Sequence, residues 1–248
     1  LLGSVGLVVT RWSDFLERLP GYHDLFTFQG MFYLWLAIGL VKIIHELGHA
    51  LCARTLGCEV HDVGVPIAFF FPTLYCNVSD SWMLPEKWKR IAIGAAGMYV
   101  ELLTAGAAAW VWWGSTPGTF VHQLSFWLML TCSVHTILFN ANPLMRFDGY
   151  FIFSDWLDIP NLSQNAQRQL SARLLGWLGY ETPRTLPGPK QFLFAFGLAS
   201  FVYRGFILAS MLYLFHQFMK DQRLEWLGLT LVFLAVTALL ALPTYRMW

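Results

Sequence analysis

Apolar residues in this chain run in long blocks, broken by short polar or proline-rich stretches, rather than recurring at the spacing of a surface helix or half-buried strand. A helix needs about 20 such residues to cross the hydrocarbon core of a bilayer. Phe28 to Ile44 continues through Ala53 as one helical run, and Ala92 to Trp113 carries Glu101 as its only charge. Phe120 to Ala141 has no charge, and Gln191 to Met219 has only Arg204. A shorter block, Trp226 to Pro243, is also charge-free. Leu1 to Thr10 is apolar but lacks the charged start of a signal peptide, and is expected to be the tail of a membrane helix. The pattern predicts an all-α membrane protein with about five to six transmembrane helices.

Two segments do not fit a span. Cys58 to Leu74 mixes β-branched and aromatic residues with Gly64, Pro66 and Pro72, which break a helix and predict a short β-hairpin or a re-entrant, membrane-dipping segment over residues 58–74. Phe147 to Pro189 is amphipathic and punctuated by Pro160, Pro183, Pro187 and Pro189; it is expected to be a cytoplasmic loop with one helix over Gln164 to Leu178. Residues 1–248 are expected to form a single membrane-embedded domain: 1–27 a partial N-terminal helix and external linker, 28–162 the core that carries the chemistry, and 163–248 the cytoplasmic loop and two C-terminal helices. No internal repeat is visible.

Composition agrees with the block pattern. The chain is 56% hydrophobic and 17% aromatic but only 12% charged, against about 25% charged in an ordinary globular protein. With a net charge of +1 and no Lys/Arg run beyond two residues, nothing in the sequence suggests a nucleic-acid partner or a polybasic membrane tail. Cytoplasmic loops collect Lys and Arg. Placing the segment after His49 inside puts ten of them there, Arg54, Lys87, Lys89, Arg90 and Arg146 included, against four outside: Arg11, Arg18, Lys220 and Arg223. Cys52, Cys58, Cys76 and Cys132 lack C-x-x-C spacing and are expected to be free thiols.

The candidate chemistry begins at His45-Glu46-Leu47-Gly48-His49. On a helix, positions i and i+4 share a face, so both imidazoles can bind one ion while Glu46 reaches a metal-bound water as general base. Two imidazoles, a third protein ligand and an open position are what a hydrolytic zinc site requires. A metzincin would need Gly at 52 and His at 55, where Cys52 and Thr55 stand, so the third ligand must come from elsewhere. The best candidate is Asp148, in Asn140-Ala141-Asn142-Pro143-Leu144-Met145-Arg146-Phe147-Asp148-Gly149. Pro143 should unwind the chain there, and Gly149 should let it turn tightly behind the carboxylate. Irregular backbone at membrane depth is tolerated where it is buried in protein or lines a wet cavity.

HELGH at the end of one span and N-x-x-P-x-x-x-x-D-G after a later one resemble the site-2 protease, or M50, family of intramembrane metalloproteases. NPLMRFDGYF at Asn142–Phe151, DWLDIPNL at Asp155–Leu162 and SDSW at Ser79–Trp82 look most like its bacterial branch of "peptide zinc metalloprotease" proteins linked to HlyD-like membrane-fusion modules. The resemblance implies one Zn²⁺ held by His45, His49 and Asp148, with Glu46 as base. It further implies a membrane protein or peptide substrate, HlyD-like or other export partners, and a bacterial inner membrane with the active site toward the cytoplasm. One motif departs: where these proteases commonly carry A-G-P-L-x-N, this chain has Ala96-Gly97-Met98-Tyr99-Val100-Glu101.

Glu101 in mid-span is expected to face the cavity or to pair with Arg204 or His135. Asn140, Asn142, Glu101 and His135 are candidate contacts to substrate or transition state. For His135 a structural hydrogen bond is the simpler expectation, for Asn142 a helix-end hydrogen bond competes equally, and Lys42 is expected to snorkel or pair locally. The alternative function is a catalytically inactive or structural zinc component of a peptide export or assembly complex. Such a site needs its ligands but not a base, so Glu46 favours catalysis. Metal transport would require more ionisable residues along the spans than Glu101 and His135.

Overall fold

The computed structural model describes residues 1–19, 27–64, 67–68, 71–72, 75–177 and 189–221, with residues 226 and 230. The chain divides into two compact units, Leu1–Asn161 and Leu162–Trp248.

In the first unit, α1 (Leu2–Thr10) and α2 (Trp12–Arg18) precede the long α3 (Phe28–Thr55). Within the expected N-terminal helix and linker of residues 1–27, residues 12–18 are helical. Helix α3 is defined at both ends. The Thr27 side chain accepts a hydrogen bond from the Gly30 amide at 3.0 Å, an N-cap that satisfies one of the first unpaired donors. At the other end Gly57 turns into the left-handed region, at φ 85°. There the Gly57 and Cys58 amides donate to the Arg54 and Ala53 carbonyls at 3.2 and 3.0 Å, a Schellman closure that only a residue tolerant of positive φ makes cheaply.

Four two-residue strands follow. β1 (Val63–Gly64) pairs antiparallel with β4 (Tyr75–Cys76), and β2 (Ile67–Ala68) with β3 (Phe71–Pro72). The expected hairpin is therefore made of strands and extends to Cys76. A 3-10 helix (Ser79–Met83) leads into α4 (Lys87–Gly114). Next come α5 (Phe120–Val134), capped by Thr119 Oγ1 accepting from the His122 amide at 3.3 Å, and a π-helical turn over His135–Asn140. Helix α6 (Asp148–Leu157) completes the unit.

Burial recurs at every fourth position of α3: Tyr33, Ala37, Val41, His45, His49 and Ala53. On α4 the matching stripe is Ile93, Gly97, Glu101, Ala105, Ala109 and Trp112. Rows at i±4 are the ridges by which helices interlock, and these two run antiparallel to one another. Tyr33 and Ala37 meet Trp112, Phe126 and Trp127 at one end; Val41 meets Ala105 and Cys132; Ala53 meets Ile93 and Cys58 at the other. The polar residues of both stripes fall between those apolar layers. In a bilayer, lipid offers no solvent drive for helix association, so close backbone approach through small residues carries it. Gly48 shows this: a β-carbon there would lie 3.0 Å from the Ala96 carbonyl oxygen. The outward positions of the same helices, Phe32, Trp35, Ile43, Leu47, Leu51, Tyr99, Leu103 and Trp110, are exposed and apolar, as a lipid-facing surface requires.

In the second unit α7 (Leu162–Trp177) packs on α8 (Lys190–Asp221). A β-carbon on Gly197 would stand 2.7 Å from the Ala166 carbonyl oxygen, so only glycine permits that approach.

Among the described residues three helices are long and apolar enough to cross a membrane: Phe28–Thr55, Lys87–Gly114 and Lys190–Gln217. The count of five to six spans expected from the sequence is not confirmed among the described residues, although α5 runs without a break into the π turn, so that Phe120–Asn140 is helical throughout. The Phe120 to Ala141 block is divided into 15 α-helical residues and the π turn. α1 has only nine residues, and Trp226 to Pro243 lies almost wholly outside the described residues. The Phe147 to Pro189 segment holds α6 as well as the expected helix, which runs over Leu162–Trp177.

Candidate metal centre

His45, Glu46 and His49 sit in the C-terminal half of α3, with both histidines buried at 3% and 7% exposure. Asp148 reaches them from the first turn of α6. Its approach depends on the irregular stretch before it. The π turn closes with the Ala141 amide donating to the Thr136 carbonyl at 2.7 Å, and Asn142 Oδ1 then accepts the Leu144 amide at 2.8 Å in an Asx turn beside Pro143. Gly149 was expected to supply a tight turn through backbone freedom; its role is proximity instead. A β-carbon there would lie 2.6 Å from Ala141 C and O and from Asn140 O, so glycine lets α6 press its first turn against the end of the π turn.

The outcome is a convergence of three ligand atoms. His45 Nε2 lies 3.0 Å from Asp148 Oδ2 and 3.0 Å from His49 Nε2, and His49 Nε2 lies 3.4 Å from Asp148 Oδ2. The far side of each ring is already committed. His49 Nδ1 stands 2.7 Å from the Ile93 carbonyl oxygen, and His45 Nδ1 stands 2.8 Å from Glu101 Oε1. A carbonyl and a carboxylate only accept, so each Nδ1 carries the proton and each Nε2 presents a lone pair. Asp148 Oδ2 is buried with no hydrogen-bond partner. With both Nδ1 atoms donating behind them, the three ligand atoms can turn lone pairs toward one shared point, an arrangement that a cation among them would satisfy. Atoms about 2.0–2.1 Å from one tetrahedral zinc stand about 3.3–3.4 Å apart, close to the separations here. Among the described residues this trio is the group able to hold a metal.

Behind the trio lies a buried polar cluster. Glu101 is 0% exposed and receives His45 Nδ1, His135 Nδ1 at 3.0 Å, the Thr136 hydroxyl, and Asn140 Nδ2 at 3.4 Å. Of the options the sequence left for Glu101, pairing with His135 is realised, and the bond to His45 was not foreseen. His135 belongs to this cluster and not to the trio, while Asn142 is spent on its turn. Gly97 was also missed. A β-carbon there would fall 2.6 Å from both His45 Cε1 and His49 Nε2, so the imidazoles fill the space that a side chain would need. The signal was present as Ile93, Gly97 and Glu101 at i, i+4 and i+8 on an otherwise apolar helix. We expect Gly97→Ala to lower zinc affinity about 10–100-fold, the range for disturbing groups that orient metal ligands. Chelator competition measures it, with Gly94→Ala, whose β-carbon meets only Ile152, as the control that should leave affinity unchanged.

The trio opens into a cavity of about 340 Å³ whose wall includes Glu46, Cys76, Trp82 and Phe151. Glu46 is half-buried there and makes no hydrogen bond or ion pair among the described residues. The segments singled out as branch-like also meet at this wall: Trp82 packs edge-on against Phe151 at 6.1 Å, and Arg90 Nε donates to Asp155 Oδ1 at 2.8 Å. All four cysteines are free thiols.

Residues 33–124 match the family model of peptidase family M50. The match supports the site-2 protease family. M50 proteins are membrane-embedded, zinc-dependent metallopeptidases, and the three apolar helices agree with an integral membrane protein. The matched stretch covers His45, Glu46, His49 and Glu101 and ends before Asp148. No curated protein and no solved structure matches the chain.

Proposed function

We propose that this chain is an intramembrane zinc metallopeptidase that hydrolyses peptide bonds of a membrane-associated protein or peptide. The observation that carries the reading is the convergence of His45 Nε2, His49 Nε2 and Asp148 Oδ2 within 3.0–3.4 Å, with both Nδ1 atoms engaged elsewhere. These three atoms would hold one ion. When bound, zinc polarises a scissile carbonyl and lowers the pKa of its water from 15.7 to about 7. Glu46, on the same helical face, accepts the proton of the attacking water and returns it to the leaving amine nitrogen. Asn140, Glu101 and His135 act behind the ligands rather than on substrate: Glu101 holds the His45 ring, and His135 and Asn140 hold Glu101. β4, whose Cys76 lines the cavity, places extended backbone beside the site, where an unwound substrate segment can add by main-chain hydrogen bonds.

A structural zinc site is closed by a fourth protein ligand, whereas a catalytic one keeps a position open. The cavity beside the trio and the unengaged Glu46 favour catalysis over a scaffold role. The excess of Lys and Arg on one side supports a site toward the cytoplasm. SDSW, NPLMRFDGYF and DWLDIPNL support the bacterial branch linked to HlyD-like modules and an inner-membrane location. The reading is tested by metal analysis of the purified chain. We expect one zinc per wild-type chain, loss of that zinc in His45→Ala, His49→Ala and Asp148→Ala, and loss of membrane-peptide cleavage on chelation with recovery on adding zinc. Full zinc occupancy in Asp148→Ala would remove the distal ligand from the assignment.

A further inference from the structure

The cavity wall carries more charge than hydrolysis uses. Three carboxylates, Glu46, Asp148 and Asp155, line it together with three cations, Lys42, Arg90 and Arg146. Arg90 is spent: its Nε donates to Asp155 and its Nη1 to the Leu84 carbonyl, both at 2.8 Å. Asp148 faces the imidazoles. Lys42 and Arg146 have no ion pair or hydrogen bond among the described residues. Lys42 precedes His45 and Glu46 by three and four residues, so it shares their helical face one turn away. It is half-buried inside a span, where an ammonium is costly unless an anion or a wet cavity receives it. Glu46 is the nearest candidate along the helix, yet the two do not pair. The aromatic wall of Trp82, Phe147 and Phe151 adds no anion.

We infer that Lys42 and Arg146 form an anion-binding subsite that receives a carboxylate of the substrate next to the scissile bond. The inference rests on the metallopeptidase reading for its place in the reaction, but the subsite consists of side chains alone. With one zinc bound, the two free cations and the ion outweigh Glu46 and Asp148 by two charges. A peptide carrying a carboxylate beside an apolar residue fits that field and the aromatic wall. The carboxylate comes from an Asp or Glu side chain or from a free C-terminus, and both present the same group.

The test uses the full chain in lipid nanodiscs, with and without one equivalent of zinc. Binding is measured for three probes: N-acetyl-leucyl-aspartate α-amide, whose side-chain carboxylate is free, its asparagine counterpart, and N-acetyl-leucine with a free carboxylate. The expected result is at least about tenfold tighter binding of one or both carboxylate probes than of the asparagine probe, as removal of a partly buried charge partner predicts. The side-chain and C-terminal sources are distinguished by which carboxylate probe shows it. The preference should shrink to within about threefold in Lys42→Met and Arg146→Gln, be kept in Lys42→Arg, and persist without zinc. Equal binding of acid and amide probes by wild type overturns the inference. So does a preference that survives in Lys42→Met and Arg146→Gln, or one seen only with zinc, which would mean direct ligation of the ion. Failure of the chain to bind zinc at all counts against the metallopeptidase reading alone, because the acid preference is read separately in zinc-free protein.

Discussion

Glu46→Gln is expected to lower cleavage of membrane peptides by about 10²–10⁴-fold, the contribution of a positioned general base, while zinc content stays at one ion per chain. The carboxamide has nearly the same shape and still lines the cavity, but it cannot take the proton of the attacking water. Zinc should be retained because Glu46 is not in the group whose ligand atoms converge; it stands one residue along the helix from His45 and lines the same cavity. Among the described residues that line the cavity no other carboxylate is free to substitute, since Asp155 is held by Arg90 and Asp148 by the metal site. Mass spectrometry of new peptide termini, set against metal analysis of the same samples, reads both quantities. Equal zinc with undiminished cleavage would make the ion structural and leave the chemistry to another group.

Glu101→Gln should weaken zinc binding by about 10–100-fold, as loss of a carboxylate that orients a ligating imidazole does. Glu101 is fully buried and collects donors from His45, His135, Thr136 and Asn140. An amide has one accepting atom and turns an NH₂ group toward at least one of those donors, so the His45 ring loses the acceptor that keeps its Nδ1 protonated and its Nε2 free. Thr136→Val removes one donor but leaves the carboxylate and its bond to His45. Chelator competition on both variants therefore separates orientation of the ligand from general disturbance of the buried cluster: Thr136→Val should stay near wild type. Wild-type affinity in Glu101→Gln would show that His45 needs no carboxylate behind it.

The same cluster explains the departure from the A-G-P-L-x-N pattern. At the position of the usual asparagine this chain buries an acid, and the acid answers to residues that the π turn brings over it. His135, Thr136 and Asn140 are one, two and six residues past the last residue of α5. The extra residue of a π turn alters which side chains face inward, a change seen often at functional sites. Here it accompanies three of the four partners of Glu101.

Sequence by itself determined the features that depend on short range. The spacing of His45, Glu46 and His49 places them on one helical face whatever else the chain does, because i and i+4 are neighbours on any α-helix. The apolar blocks foretold the long helices, and Gly64, Pro66 and Pro72 foretold the break between the first two of them. Asp148 was legible as a candidate because Pro143 and Gly149 frame it, but its meeting with the imidazoles was not, since about a hundred residues of chain intervene. Only the tertiary structure decided that meeting, through backbone contact of Gly149 with Asn140 and Ala141. It likewise decided that Gly97 is the floor under both rings, that Glu101 turns to His45, and that Asn142 is used up in a turn. Each of these is settled by which surfaces touch across helices, and one-dimensional spacing carries no information about a partner on another helix.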